Sequence, residues 1–393
     1  MLVKRAYKFR LCPTKEQMAL MAKYTGQCRF VWNWFRVQRE DWYQSGVSEI
    51  SPADRDPSVN PNHYVSQANQ LPALKKHFPW LCETPSHVLQ QILKDLDRAY
   101  KNFFKGIAAY PQFRKKGQKS SFRFPDGFRL EGNRLKLPKL ESIKIRLSRK
   151  VKGKVKNVTV SKRGNHWYAS LQVEEELVLP KAKETPIGLD LGVTDLIATS
   201  SGERTKPVDF SKLREKQLEL QRSLSRKRKG SSNWRKAKQK LSQIHVRIAD
   251  KRKDYLNKLS TRLCKNHAVI VVEDLNVRHM SSTAKGNIEN PGKNVKAKSG
   301  LNRSILSQGW HEFLRQLEYK SSWRMGKVVK VNPKHTSQRC NVCGHTQKEN
   351  RKGKHFACIS CGQKEDADIN AAKNILVAGQ AMSACGEIRP VAA

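Results

Sequence analysis

The spacing of apolar residues predicts helices in the first third of the chain. Thr14 and Gln17 have the spacing of a capping box, which typically opens a helix. The apolar residues that follow recur at helical intervals, at Met21, Tyr24, Cys28, Val31 and Phe35. A second stretch of this kind begins near Ser86, and residues 46–72, rich in Ser, Pro, Asn and Asp, predict a loop between the two helices.

The period changes to two between residues 121 and 179, where SIKIRLS and HWYASLQVEEEL alternate apolar and polar positions. Residues 2–11 alternate in the same way, so we expect them to join these strands in a small antiparallel sheet or barrel. The helical segment 13–117 is then an insertion. Lys144 and Arg146 lie on the exposed face of SIKIRLS, where they suit a phosphate backbone and equally an ordinary solvated face.

A third region begins at residue 182. PIGLDLGVTDLIATS predicts two strands joined by a tight turn at Gly192, and AVIVVEDLNV predicts a buried strand at 268–277. Between them lies a long helical block, residues 211–265, broken near GSSNW. A further helix leads into the predicted strand KVVKVNP.

The charge balance favours a polyanionic partner. The formal net charge is +43, from 77 Lys and Arg against 34 Asp and Glu. Such an excess repels itself in a compact fold, so nucleic acid is a better explanation than a solubilising surface. The helical block alone has 17 basic residues against four acids between Lys212 and Lys258. Its candidate nucleic-acid contacts are Arg226, Lys227, Arg228, Lys229 and Arg235.

Hydropathy excludes a membrane partner. The sequence holds no run of about eighteen apolar residues, and its start lacks the pattern of a secretory signal. We therefore expect an intracellular protein, in the cytoplasm of a prokaryote and associated with the nucleoid.

Three acids stand where an acid is unexpected: Asp190 and Glu273 at the ends of apolar strands, and Asp368 at the start of an Ala-rich helix. Taken singly, each has an ordinary explanation: Asp190 could cap the turn, Glu273 could pair with an arginine, and Asp368 could be a helix N-cap. Together, in a chain this basic, they favour a site for Mg²⁺ or Mn²⁺, because clustered carboxylates repel one another unless a cation lies between them.

The cysteines predict a second metal site. Four of the nine form two CxxC pairs separated by fourteen residues, and a glycine follows each pair at Gly344 and Gly362. This spacing is typical of a closed, structural zinc site, whose ligands here are Cys340, Cys343, Cys358 and Cys361. A disulfide framework or a redox motif fits an intracellular, basic protein poorly.

The ordered segments IGLDLGV, VVEDLNV and DADINAAKNI resemble the three split motifs of a RuvC nuclease, and more specifically the TnpB family of transposon-encoded, RNA-guided DNA endonucleases. KFRLCPTKEQ, FRKKGQKSSFRF and TSQRCNVCG extend this resemblance over essentially the whole chain. It implies that Asp190, Glu273 and Asp368 are catalytic metal ligands. The choice of Asp368 over Asp366 rests on the family pattern Asp-x-Asn-Ala-Ala.

The resemblance also implies an α+β multidomain fold. An antiparallel β-barrel wedge domain would comprise residues 1–12 and 118–181, with a helical recognition domain at 13–117. An RNase H-like RuvC α/β domain would follow at 182–393, carrying the basic helical hairpin 211–265 and an inserted zinc ribbon at 333–365.

The activity so implied is two-metal cleavage of double-stranded DNA next to a short flanking motif. A guide RNA derived from the transposon end would select the target by base pairing. Two alternatives remain open, a non-catalytic RNA-guided DNA-binding regulator and a DNA transposase. A purely structural RNA-binding protein explains the three acids least well.

Overall fold

The computed structural model describes residues 2–44, 63–118 and 120–384. The chain divides into two compact units, Met1–Leu177 and Val178–Ala393. Each unit has its own sheet and its own hydrophobic core. No helix within the described ranges is long and apolar enough to cross a membrane.

The first unit is built on a seven-stranded antiparallel sheet. Its strands are β1 (Leu2–Cys12), β2 (Ser121–Phe124), β3 (Arg129–Glu131), β4 (Arg134–Leu137), β5 (Glu141–Arg146), β6 (Lys154–Arg163) and β7 (His166–Glu176). They are ordered β2-β6-β7-β1-β5-β4-β3. The N-terminal strand pairs with β5 on one side and β7 on the other, which confirms that it joins the later strands.

This sheet is an open half-barrel, because the end strands β2 and β3 are not paired with each other, and it confirms the antiparallel sheet predicted from the sequence. Helices cover its apolar face instead of a second wall of strands. Tyr24 of the first helix packs edge-on against Phe122 of β2, with ring centroids 5.6 Å apart. Period-two alternation identifies a half-buried strand but does not determine whether the sheet closes.

Three helices pack on this sheet: α1 (Lys15–Gln44), α2 (Tyr64–His77) and α3 (Ser86–Phe104). The capping box is present, since Thr14 Oγ1 accepts from the backbone N–H of Gln17 at 3.2 Å and Gln17 Oε1 accepts from that of Thr14 at 3.0 Å. Helices and strands share one continuous core, so the helical insertion is not an independently packed layer.

Helix α2 corrects the loop predicted over 46–72; residues 46–62 of that loop lie outside the described part. Pro72 stands inside the helix and argues against it locally. Tertiary contacts outweigh this preference. Gln67 is fully buried, accepts two hydrogen bonds from Arg39 and donates one to the carbonyl of Phe35.

The second unit contains a mixed five-stranded sheet ordered β10-β9-β8-β11-β12. Its strands are β8 (Ile187–Leu191), β9 (Ile197–Thr199), β10 (Arg204–Thr205), β11 (Val269–Glu273) and β12 (Lys327–Val331). Strands β8, β11 and β12 run parallel, and β9 returns antiparallel to β8 after the turn at Gly192. The predicted strands of this region are therefore confirmed.

The described residues of this unit, up to Ala384, form six helices: α4 (Ser211–Ser225), α5 (Ser232–Asn266), α6 (Val277–Met280), α7 (Val295–Gln308), α8 (Trp310–Ser322) and α9 (Ala367–Ala384). The predicted break in the basic block is confirmed, and Ser231 caps α5 by accepting from the backbone N–H of Trp234. A small three-stranded sheet lies between β12 and α9: β13 (Arg351–Lys352), β14 (His355–Ala357) and β15 (Lys364–Asp366).

The shared core of the first unit predicts coupled unfolding. Leu93→Ala, at a fully buried position of α3, should lower the free energy of unfolding by about 2–5 kcal/mol, because it leaves a cavity beneath both helices and sheet. Hydrogen exchange followed by mass spectrometry should show residues 86–104 and 166–176 losing protection together. Leu147→Ala, at a position 36% exposed, is the control and should cost less than about 0.5 kcal/mol. Loss of protection in the helix alone would contradict the shared core.

Candidate metal sites

Two of the three predicted acids meet at one edge of the second sheet. β8 and β11 pair in parallel, with Leu189 opposite Val272. One residue further along this register, Asp190 stands beside Glu273. In-register neighbours on adjacent strands project to the same face, so the pairing brings together two carboxylates that are 83 positions apart in the sequence.

Helix α9 brings the third acid to the same edge by packing very closely on the sheet. A Cβ at Gly188 would lie 2.1 Å from the carbonyl oxygen of Ala372, and a Cβ at Gly379 would lie 2.4 Å from Cγ1 of Val271. Only glycine permits this approach of helix to strands. Asp368 lies in the first turn of the helix that is held in this way.

Asp366 and Asp368 have different roles at the start of α9. Asp366 Oδ1 accepts from the backbone N–H groups of Asp368 and Ile369, at 3.0 and 3.3 Å, and so caps the helix. Its carboxylate also pairs with Arg204. Because Asp366 performs the capping, the Asp368 carboxylate is not needed for it.

Asp190, Glu273 and Asp368 line one cavity of about 460 Å³. Thr336 Oγ1 donates to Glu273 Oε1 at 2.6 Å, and the Arg351 guanidinium lies 3.1 Å from Asp368 Oδ1. The wall of this acidic cavity therefore contains a hydroxyl bonded to Glu273 and a guanidinium beside Asp368.

Burial raises the pKa of two of these acids, and neighbouring carboxylates add to the effect at Asp190. Burial, followed by the charges of Glu273 and Asp368, raises the pKa of Asp190 to about 7, against the opposing effect of Arg351. Burial also raises the pKa of Glu273, although the hydrogen bond from Thr336 and the Arg351 charge act against this. A single arginine thus compensates the cluster only in part, and a divalent cation would stabilise the ionised form.

The four predicted cysteines do form a compact cluster. Their sulfur atoms lie within 4.8 Å of one another, with Cys340 and Cys361 at 3.7 Å and Cys343 and Cys358 at 3.6 Å. Zn–S bonds of about 2.3 Å in a tetrahedron place sulfurs about 3.8 Å apart, so the cluster fits zinc, whereas a disulfide would need about 2 Å.

The local geometry of the cluster matches the predicted knuckles. The backbone N–H groups of Gly344 and Gly362 each donate to the carbonyl of the first cysteine of their pair at 3.0 Å. Both glycines have φ near +75°, at 77° and 74°, a conformation that other residues rarely adopt. Backbone N–H groups of Cys361 and Ser360 lower the pKa of the Cys358 thiol, which favours the thiolate.

The cysteine ribbon is joined to the acid cavity by asparagines of α9. Asn370 and Asn374 both donate to the carbonyl of Arg339, just before the first cysteine, and Asn374 also donates to the carbonyl of Thr336. β13 carries Arg351 into the cavity wall. The ribbon therefore supports two side chains that contact the acids: the Thr336 hydroxyl, which donates to Glu273, and the Arg351 guanidinium, which pairs with Asp368.

One acid that lines this cavity is not among the site residues predicted from the sequence. Asp195 is only 2% exposed and lines the same cavity, but Lys206, Lys354 and Arg204 surround it at 2.9, 3.0 and 3.9 Å. Hydrogen bonds from Lys206 and Lys354 lower its pKa. The signal that could have found it is its position in GVTDL, directly after the turn that follows Asp190.

The predicted nucleic-acid contacts lie on both units. Lys144 and Arg146 are exposed on β5, as the alternation predicts. Arg226, Lys227, Arg228 and Lys229 lie in or beside the turn between α4 and α5, and Arg235 is exposed in the first turns of α5. Their role in binding stays a prediction.

Comparison with known proteins defines the class of this protein as transposon-encoded and related to Cas12f1. Family models match it over residues 169–284 ("Probable transposase", IS605 OrfB), 310–375 ("Cas12f1-like, TNB domain") and 1–47 ("Helix-turn-helix domain"). The last two segments contain, respectively, the four cysteines and β1 with α1.

Whole-length relatives identify the family. The chain is 47% identical, over 98% of its length and 94% of the relative's, to "Putative RNA-guided DNA endonuclease InsQ" of Escherichia coli (strain K12). It is 36% identical, over 99% and 92%, to "Putative RNA-guided DNA endonuclease" of Streptomyces pristinaespiralis. The chain belongs to the TnpB family.

A solved structure, of the mini-RNA-guided endonuclease CRISPR-Cas_phi3, aligns with 96% of this chain and 92% of its own at 11% identity, with a TM-score of 0.45.

The raised pKa of Asp190 predicts a pH-dependent stability. Between about pH 4 and pH 7 the folded protein keeps a proton on Asp190 that the unfolded chain has already lost. The free energy of unfolding therefore falls as the pH rises through this range. In buffer without magnesium, Asp190→Asn should therefore stabilise the protein at pH 8 by roughly 1–4 kcal/mol and have no such effect near pH 4. Urea unfolding at both pH values measures this. Asp254→Asn, on the exposed surface of α5, is the matched control, and an equal gain there would contradict the prediction.

Proposed function

We propose that this protein is an RNA-guided DNA endonuclease of a transposable element, cutting double-stranded DNA beside a short flanking motif. The observation that carries the proposal is the convergence of Asp190, Glu273 and Asp368 in one cavity, in a chain 47% identical to a relative that bears that name. In this proposal the mixed sheet and α9 form the RNase H-like RuvC core.

The three carboxylates are the proposed ligands of magnesium or manganese. When bound, the metal ions would activate a water molecule and stabilise the leaving oxygen of the phosphodiester. The chain's own groups prepare the site. Thr336 fixes the orientation of Glu273, Arg351 partly neutralises Asp368, and Asp366 caps α9 so that Asp368 stays available.

The four cysteines would hold one zinc ion with a structural role. Four thiolate ligands complete a tetrahedron and leave no position for substrate. Closing the ribbon with metal would stabilise β13, from which Arg351 contacts Asp368. We infer that zinc supports the nuclease site from outside it.

The guide RNA and the target DNA would be held through shape and charge. A net charge of +43 suits two polyanions at once, and base pairing with the guide would supply sequence specificity. We assign target-motif reading to the first unit, with the half-barrel as the wedge and α1–α3 as the recognition helices. The origin of the guide at the transposon end follows from the family alone.

The description of the 169–284 match as a transposase keeps strand transfer as a second candidate. The two activities leave different products. A transposase joins DNA ends, whereas the proposed nuclease leaves only broken ends, so analysis of the reaction products separates them.

The acid site predicts loss of cleavage without loss of binding. Asp190→Ala, in the complex with its guide RNA, should abolish cleavage of matched DNA while the dissociation constant for that DNA stays within about threefold. Two neighbouring variants serve as a control pair. Glu273→Gln should also abolish cleavage, whereas Asp274→Asn should leave it intact, because Asp274 is the exposed neighbour on the same segment. Retained cleavage in the Asp190 variant would contradict the site.

The cysteine cluster predicts one zinc ion per chain. Cys343→Ser should reduce the zinc content measured by elemental analysis and lower the melting temperature, because zinc binding contributes directly to folding. Cys82→Ser, at an exposed cysteine outside the cluster, should leave both unchanged. Equal zinc content in the two variants would overturn the assignment.

A further inference from the structure

A second cavity lies next to the acid cavity in the C-terminal unit. Its volume is about 470 Å³, and Val193 and Thr194 line both cavities. The start of α4, the middle of α5 and the end of α7 form its other walls. Gln308 of α7 donates to the carbonyl of Val193 at 3.2 Å and so fixes the turn that separates the two cavities.

The walls of this cavity carry more positive than negative charge. Lys206, Arg214 and Arg252 line it, together with one acid, Asp209. Lys206 is already paired with Asp195 at 2.9 Å. Asp209 accepts hydrogen bonds from the backbone N–H and the hydroxyl of Ser211. In the described parts of the chain neither arginine lies within 4.0 Å of a carboxylate, and although the Asp209 charge acts on Arg214 from further away, no acid compensates Arg252.

Arg252 is held in an orientation that suits a ligand. Its guanidinium lies over the ring of Phe210, 5.5 Å from the centroid, and its buried Nε has no hydrogen-bond partner among the described residues. Burial and the nearby Arg214 charge both lower the pKa of Arg252, which is the signature of a cation without an anion. A buried donor without a partner is costly unless a ligand satisfies it.

We propose that this cavity binds one backbone phosphate of the DNA strand that is cut, with Arg214 and Arg252 as its two ligands. The inference rests on the proposed function and deepens it. Guanidinium groups match phosphate oxygens in geometry and charge, and the hydroxyl of Ser304 in the same wall supplies a further donor.

The position of the cavity favours a phosphate of the DNA over a phosphate of the guide RNA as its ligand. The strand to be cut must pass the three acids, and Val193 and Thr194 line both the cavity of those acids and the cavity of the two arginines. A phosphate near the scissile one would therefore enter the second cavity. Such a contact fixes the register of the strand without reading its sequence. Arg214 and Arg252 are positioning residues, which affect where and how firmly the strand lies.

The test asks whether removing a charge from the protein and removing a charge from the DNA have the same effect on cleavage. The protein–guide complex cleaves matched DNA in which one phosphate at a time is replaced by a neutral methylphosphonate, scanned along the cut strand. In the wild type, one position near the scissile phosphate should raise KM by about 10–100-fold with little change in kcat. In Arg214→Gln and Arg252→Gln the KM with normal DNA should rise by a similar factor, and the methylphosphonate at that position should add no further loss.

The controls separate charge from folding. Arg247→Gln removes a charge from an exposed position of α5 outside the cavity and should keep the position-specific penalty intact. Arg252→Lys retains the charge above Phe210 and should retain part of the penalty. Arg214 is exposed, so its variant remains informative if Arg252→Gln fails to fold.

Two outcomes would overturn the inference while leaving the nuclease intact. In one, the wild-type complex cleaves normal DNA, and the methylphosphonate still raises KM in the arginine variants. The other is coupling to a neutralised phosphate of the guide RNA and not of the DNA. A wild-type complex that cuts no matched DNA would contradict the proposed function, and this inference with it.

Discussion

The electrostatic cost of placing two carboxylates side by side at the end of a buried parallel sheet dominates this structure. Asp190 and Glu273 occupy neighbouring strands in register, where burial raises the pKa of both and the charges of Glu273 and Asp368 raise that of Asp190 further. A fold optimised only for stability would avoid this arrangement, because each buried charge without a partner is unfavourable. In the proposed function a cation enters between them, and the remaining features of the second unit hold them ready for it.

Those features form a continuous chain of contacts. Gly188 and Gly379 allow α9 to lie directly on the strands, which brings Asp368 to the acids. Asn370 and Asn374 of the same helix hold the segment that leads into the cysteine ribbon. The ribbon returns Arg351 to Asp368. The family motif Asp-x-Asn-Ala-Ala thus combines a carboxylate, an asparagine that anchors the ribbon and small residues that permit close packing.

The sequence predicted features whose signal is local and missed those that depend on contacts between distant segments. The strand-end acids and the CxxC spacing are local patterns. Asp195 was missed because its partners, Lys206, Arg204 and Lys354, come from separate segments. Helix α2 was missed because buried polar contacts of Gln67 outweigh the presence of Pro72. Alternation predicted the antiparallel strands of the half-barrel but left open whether the sheet closes, because it does not reveal what covers a sheet.

The central claim is that Asp190, Glu273 and Asp368 together hold divalent metal. Crystals of the protein–guide complex grown with Mn²⁺, measured at the manganese absorption edge, would test it most directly. The account predicts anomalous peaks between these three carboxylates, two ions about 4 Å apart, with none at Asp366 or Asp195. Peaks at other acids, or none in the cavity at saturating manganese, would contradict it.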